Sequence, residues 1–199
     1  TATTSLQNSI SRLRRVLGDA LVTRSPGYVL RVAPEQVDAL RFEHAVRDAR
    51  NLAAPERAAA LREALASWRG SPFADLPYEA FLQGEARRLE ELRVAAIEDR
   101  VAADLERGEH ASLVPELESL VSENPLRERL REHLMLALYR AGRQAEALSA
   151  YSDARRTLAD ELGVDPGPAL RQVHGAILRH DESLLAAAAA TRPKRSLGD

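Results

Sequence analysis

The sequence predicts a mainly α protein: a helical repeat domain preceded by one helix and a small β-hairpin. Three observations predict it. Apolar residues recur at helical spacing from Val37 nearly to the end of the chain. Two glycine turns, at Gly108 and Gly142, stand 34 residues apart within that stretch. Ahead of it, two short β-branched and aromatic runs flank Pro26-Gly27 directly after a first helical segment.

Composition sets the frame for these elements. A chain of 199 residues, 45% hydrophobic and 29% charged, has ordinary globular make-up and can bury a core without staples. The longest apolar run, Leu184 to Ala190, falls far short of the ~20 residues a membrane helix needs. No basic-then-apolar leader is present, so a cytoplasmic location is expected. The absence of cysteine excludes disulfide scaffolds, thiolate metal sites and cysteine nucleophiles. Lys194 is the only lysine among 28 basic residues, so arginine count alone says little about function. The chain begins at Thr1 and its one methionine is Met135, which suggests a piece of a longer protein or a processed product.

Charge is distributed unevenly. Residues 1–32 hold Arg12, Arg14, Arg15, Arg24 and Arg31 against Asp19 alone, a net charge of +4 that leaves −6 for the rest. Such asymmetry hints at a nucleic-acid-binding arm, although short segments also fluctuate in charge by chance.

The first helix runs from a cap at Thr3 or Thr4 to about Leu17 and stops at Gly18. Leu6, Ile10, Leu13 and Leu17 form one apolar stripe. At about 100° per residue, Thr4, Asn8, Ser11 and Arg15 project to the opposite side, flanked by Gln7 and Arg12. This polar face carries no acidic residue. Its amides, hydroxyls and guanidiniums are groups that hydrogen-bond base edges and phosphates. The plainer reading is an amphipathic helix with an arginine-rich surface.

After Gly18 come Leu21-Val22-Thr23-Arg24, a Ser25-Pro26-Gly27 turn and Tyr28-Val29-Leu30-Arg31-Val32, which together read as a hairpin. A helix followed at once by a hairpin is the arrangement of a recognition helix and its wing, the helix in the major groove and the wing on backbone or minor groove. The residues Ser11-Arg12-Leu13-Arg14-Arg15-Val16-Leu17-Gly18, then Val22-Thr23-Arg24-Ser25-Pro26-Gly27-Tyr28, resemble the C-terminal half of an OmpR-type winged-helix DNA-binding domain. In detail they resemble the Streptomyces antibiotic regulatory proteins and their AfsR-like relatives. That family carries a sheet and two helices ahead of this point, so the resemblance implies a partial winged helix here.

The remainder reads as helices in series. Val37, Leu40, Phe42 and Val46 open one; Pro55 starts a second carrying Leu61, Leu65 and Trp68. Gly70, Pro72 and Pro77 mark a connector. A long helix is expected from Tyr78 to Arg107, with a possible break at Gly84. Aligned on Gly108 and Gly142, Ala111 meets Ala145, Val114 meets Leu148 and Leu117 meets Tyr151. The period of 34 is that of tetratricopeptide repeats, in which each helical pair buries its apolar face on its neighbour. Pro125 closes the first unit on this reading, and Pro166-Gly167-Pro168 breaks the second before a last helix with Leu170, Val173 and Ile177. An irregular helical bundle is the alternative.

Leu136-Ala137-Leu138-Tyr139-Arg140-Ala141-Gly142-Arg143-Gln144-Ala145, then Tyr151 and Leu158-Ala159-Asp160-Glu161-Leu162-Gly163-Val164-Asp165-Pro166, are similar to the bacterial transcriptional activator domain. Val37-Asp38-Ala39 with Phe42 resembles that domain's start. In the antibiotic regulatory proteins this domain follows the winged helix, and the two resemblances stand here in the same order. They imply a transcription activator that binds promoter DNA as a homodimer and acts on RNA polymerase. The expected division is 1–32 for the partial winged helix, 37–185 for the helical activator domain and 186–199 for a linker or tail. In multidomain relatives a further domain follows such a linker.

On this reading Thr4, Gln7, Asn8, Ser11, Arg12 and Arg15 face DNA from the helix, while Arg14, Thr23 and Arg24 hold phosphates. No catalytic residue, metal ligand, cofactor or membrane partner is expected. No phosphate-binding loop, dinucleotide fingerprint or H-E-x-x-H occurs. His44, His110, His133, His174 and His180 are scattered, and His174 and His180 fall on different faces of one expected helix. The carboxylates sit beside arginines at helical spacing and read as surface ion pairs. Trp68, Phe73, Phe81 and Tyr151 read as core anchors. A repeat scaffold that binds protein rather than DNA is the rival reading; an enzyme is a third, lacking a cofactor site.

Overall fold

The computed structural model describes residues 2–76 and 79–185. The linker expected at 186–199 lies outside them, as do Pro77 and Tyr78. The chain divides into two compact units, Thr1–His44 and Ala45–Asp199, and each is described by itself.

The first unit opens with α1, Ala2–Leu17. The helix therefore runs through Thr3 and Thr4 rather than starting at them; threonine in a first turn costs only a few tenths of a kcal/mol against alanine, roughly. Gly18 ends it at φ 55°, the left-handed conformation that favours glycine. A 3₁₀ turn over Gly18–Ala20 leads into β1, Leu21–Arg24, which pairs antiparallel with β2, Gly27–Leu30. Ser25-Pro26 makes the turn between them. Of the expected stripe on α1, Ile10 is buried, Leu17 is half-buried, and Leu6 and Leu13 stay 55% and 47% exposed. A stripe specifies an amphipathic helix; covering it takes a neighbour, which the described residues of this unit do not supply. Helix α2, Asp38–Ala49, follows and crosses the boundary between the units.

Among its described residues the second unit holds six further helices and no strand: α3 (Ala54–Ala66), α4 (Gln83–Glu106), α5 (His110–Glu123), α6 (Glu128–Arg140), α7 (Gln144–Leu162) and α8 (Pro168–Leu178). Pro55 sits in the first turn of α3, where its missing N–H costs nothing. The long helix begins at Gln83 rather than Tyr78, because a 3₁₀ turn over Ala80–Leu82 precedes it; Gly84 falls in its first turn and breaks nothing. Phe81 lies on that short turn, outside the helix packing, and is 78% exposed, so it is no core anchor. Phe73 in the connector is 38% exposed, and Trp68 is half-buried with the Arg93 guanidinium 5.5 Å above its ring. Helix α8 stops at Leu178, so His180 stands beyond it.

The glycine register sets two helical pairs, α5 with α6 and α7 with α8. Gly108 and Gly142 take φ 89° and 79°, turning the chain before each pair. Pro125 sits between α5 and α6, inside the first pair rather than at its end, in the same place that Pro166 takes in the second. Helix α6 packs against α4, α5, α7 and α8. The core gathers round it: Val101, Leu105, Val114, Leu117, Met135, Leu138, Leu170 and Ile177 are all essentially buried. The Gly167 N–H donates to Glu128 Oε2 at 2.6 Å, so the start of α6 caps the start of α8.

Not every carboxylate is a surface group. Asp104 on α4 is 1% exposed and takes Arg62, Arg107 at 3.3 Å and Arg100 at 3.0 Å; Arg100 also reaches Glu116 at 2.5 Å. The buried carboxylate thus ties α3 to α4, and Arg100 extends the network to α5. Glu98 is also buried, with Arg129 3.5 Å away. Burial raises its pKa, against the pull of Arg129. His133 on α6 is buried with no well-formed hydrogen bond at either ring nitrogen among the described residues. Desolvation, helped by Arg129 and opposed by Asp99 and the Glu98 backbone, brings its pKa down to about 4.

Candidate nucleic-acid interface

The side chains singled out from sequence lie on α1 and β1, within the first unit. Helix α1 contains no acidic residue, and Arg14 and Arg15 stand in its last turn, where cations favour the helix dipole. Thr4, Gln7, Asn8, Ser11, Arg12 and Arg15 are all exposed. Gln7, Asn8 and Ser11 make no side-chain hydrogen bond among the described residues, and Arg12 and Arg15 make no ion pair there. Gln7, Asn8 and Ser11 thus direct donors and acceptors at solvent, beside cations that no described carboxylate of the unit neutralises.

The hairpin has two faces. Its register pairs Thr23 with Tyr28 and Arg24 with Gly27. Because strand side chains alternate, Thr23, Tyr28, Leu21 and Leu30 share one face and Arg24 lies on the other. The first face carries the contact to α1. Arg14 Nη2 donates to Thr23 Oγ1 at 2.5 Å, and the Arg14 guanidinium stands 5.7 Å from the centre of the Tyr28 ring. Of the three expected phosphate holders, two thus engage each other, while Arg24 is exposed and in no ion pair among the described residues. Tyr28 is the residue that sequence reasoning missed. The signal was available: a two-residue turn at Ser25-Pro26 sets Tyr28 opposite Thr23.

The second unit offers less. A groove of about 530 Å³ between the 71–76 connector and the start of α4 is lined by Phe73, Leu76, Leu82, Arg87 and Glu90. Tyr151 stacks on His174, ring centres 3.8 Å apart, which binds that histidine into the contact of α7 with α8. Among the described residues no group of three or more metal-ligating side chains converges. No described helix is long and apolar enough to cross a membrane.

Residues 37–178 match the family model of the bacterial transcriptional activator domain. The chain is 44% identical over 188 residues to the regulatory protein AfsR of Streptomyces griseus, covering 92% of this chain and 19% of that protein. It is 37% identical to the regulatory protein DnrI of Streptomyces peucetius, covering 92% of this chain and 73% of that one. A solved structure of Mycobacterium tuberculosis EmbR, in complex with a low affinity phosphopeptide, superposes with a TM-score of 0.83 at 34% identity, over 95% of this chain and 54% of that one. The chain thus spans about a fifth of AfsR and about half of the EmbR chain.

Proposed function

The chain belongs to the bacterial transcriptional activator domain family, and from that premise we propose that it acts within a DNA-binding transcriptional activator. Its relatives are named as regulatory proteins. The observation that carries the DNA-binding reading is the acid-free face of α1, with unneutralised arginines, set beside a hairpin. Helix α1 enters the major groove. Arg12, with Gln7 and Asn8, reads base edges, since arginine pairs with guanine and amides with adenine. Thr4, Ser11 and Arg15 fill the rest of that face, and Arg24 holds a phosphate from the far side of the hairpin. The helical unit serves dimerisation and contact with RNA polymerase. The protein works in the cytoplasm, needs no cofactor and catalyses no reaction. The functional division is 1–32 for the DNA-binding part and 37–185 for the activator part.

In vitro selection from a random duplex library tests this reading, with the chain used alone and extended upstream through its natural coding sequence. Enrichment of a repeated half-site, as expected for a dimer, supports it. Failure of the folded, extended chain to enrich any sequence overturns it and turns attention to protein ligands of the repeats.

A further inference from the structure

We propose that Arg14 is a positioning residue that clamps the hairpin to α1, rather than a phosphate ligand. The inference deepens the DNA-binding reading and rests on it only for its consequence, not for its geometry. Thr23 and Tyr28 are directly opposite across the two strands, so their side chains stand together on one face of the hairpin. Arg14 addresses both at once. Its edge donates to Thr23 Oγ1 at 2.5 Å and its guanidinium carbon stands 5.7 Å from the Tyr28 ring centre.

A planar guanidinium joins the two contacts better than an ammonium does. It offers in-plane donors to the hydroxyl and a delocalised face to the ring, whereas an ammonium is a point charge on a flexible stem. The clamp has something to fix. The link from α1 to β1 runs through Gly18 in the left-handed conformation, and the base of the hairpin is held by backbone bonds, Leu21 N–H to the Gly18 carbonyl and Arg31 N–H to the Ala20 carbonyl at 2.7 Å. The Arg14 contact closes a nine-residue span from the last turn of the helix to the third residue of β1. With it in place, the α1 face and Arg24 hold one relative orientation. Two contact sets held at a fixed spacing bind a duplex as one unit, and loosening the link lowers the effective concentration of the second set.

A phosphate ligand and a clamp behave differently on substitution. The first test is NMR of the free chain: the Arg14 δ-protons are expected upfield under the Tyr28 ring, and Tyr28→Leu is expected to abolish that shift. Tyr28→Phe, which keeps the ring, preserves it, and cross-strand contacts between Thr23 and residue 28 report that the hairpin itself is intact in each variant. An unshifted Arg14 in the wild-type chain overturns the proposal whether or not DNA binds. The second test is affinity for a selected duplex. Thr23→Val removes no charge, yet it is expected to weaken binding about tenfold, as much as Arg14→Ala, with the double variant no weaker than either. Arg14→Lys is expected not to restore binding. If Thr23→Val binds normally and Arg14→Lys keeps most of the affinity, Arg14 is a phosphate ligand and the proposal fails. A normal NMR signature with no DNA binding by any form leaves the clamp standing and sinks the DNA-binding reading instead.

Discussion

Among the described residues, many arginines of the helical unit are neutralised by carboxylates, and those of α1 and the hairpin are not. In the helical unit Arg62, Arg100 and Arg107 share Asp104, Arg57 reaches Glu106 at 2.7 Å, Arg129 reaches Asp99 at 2.6 Å, and Arg143 reaches Glu146 at 2.6 Å. In the first unit Arg12, Arg15, Arg24 and Arg31 have no ion-pair partner among the described residues, and Arg14 is held by a hydroxyl and an aromatic ring. The same side chain thus serves two ends. Where a carboxylate sits on a facing helix, arginine ties helices together, and where one sits three or four residues away it braces its own helix. Where none does, as on α1 and the hairpin, the proposed DNA ligand would supply the anions.

The difference can be broken most severely at Asp104. Asp104→Asn leaves the buried Arg100 with Glu116 as its remaining anion and strips Arg62 and Arg107 of theirs, a loss expected to cost about 3 kcal/mol. Urea denaturation should show the drop in the midpoint, while the NMR contacts of the hairpin at low denaturant stay as in the wild type.

The next effect is acid sensitivity, which sharpens the contrast because it belongs to the helical unit. His133 binds its proton in the unfolded chain near pH 6.5 but in the fold only near pH 4. Stability is therefore full above about pH 6.5 and falls by up to about 3 kcal/mol as the pH drops toward 4. Glu98 and Glu132, whose pKa values burial raises, work in the opposite sense: their protonated forms suit the fold, so a gain builds as the pH falls through their raised values toward the ordinary carboxylate range and offsets part of the loss from there down. His133→Leu should flatten the fall of thermal midpoint between pH 7 and pH 4.5. An unchanged slope would show that His133 is not its source.

Arg12→Ala is expected to cost about 1–3 kcal/mol on a selected duplex and to relax preference at one base position, with no change in thermal midpoint. Equal loss on all sequences would assign Arg12 to phosphate instead. The smallest effect is expected at Arg57→Ala. It breaks an ion pair whose Glu106 partner is 54% exposed, and denaturation should register a loss of less than about 1 kcal/mol.

Local features of this fold were legible in the sequence, and contacts across space were not. The end of α1 at Gly18, the hairpin about Pro26 and the 34-residue register of Gly108 and Gly142 follow from residues whose backbone preferences act on their own neighbourhood. Periodicity also placed Thr4, Asn8, Ser11 and Arg15 on the exposed side of α1. It did not say what covers Leu6 and Leu13, because a stripe names a face and not its partner. Asp104 reads as a surface ion pair for the same reason: Arg100 and Arg107 stand at helical spacing from it, and only the approach of α3 and α5 buries it. The Arg14–Thr23 contact depends on the angle between a helix and a hairpin, which no spacing rule encodes. The late start of α4 reflects the 3₁₀ turn at Ala80–Leu82, a tighter winding that apolar periodicity does not separate from α-helix.

The measurement that bears most directly on the central claim is anisotropy binding to a selected duplex titrated with salt. It compares the wild type with Arg12→Ala/Arg15→Ala and with Arg57→Ala/Arg143→Ala, each in the chain extended upstream. The account predicts a steep dependence in the wild type and a large loss of affinity for the selected duplex in the α1 variant. It predicts no change in the variant of the helical unit. Equal losses from both pairs, or no loss from the α1 pair, would contradict it.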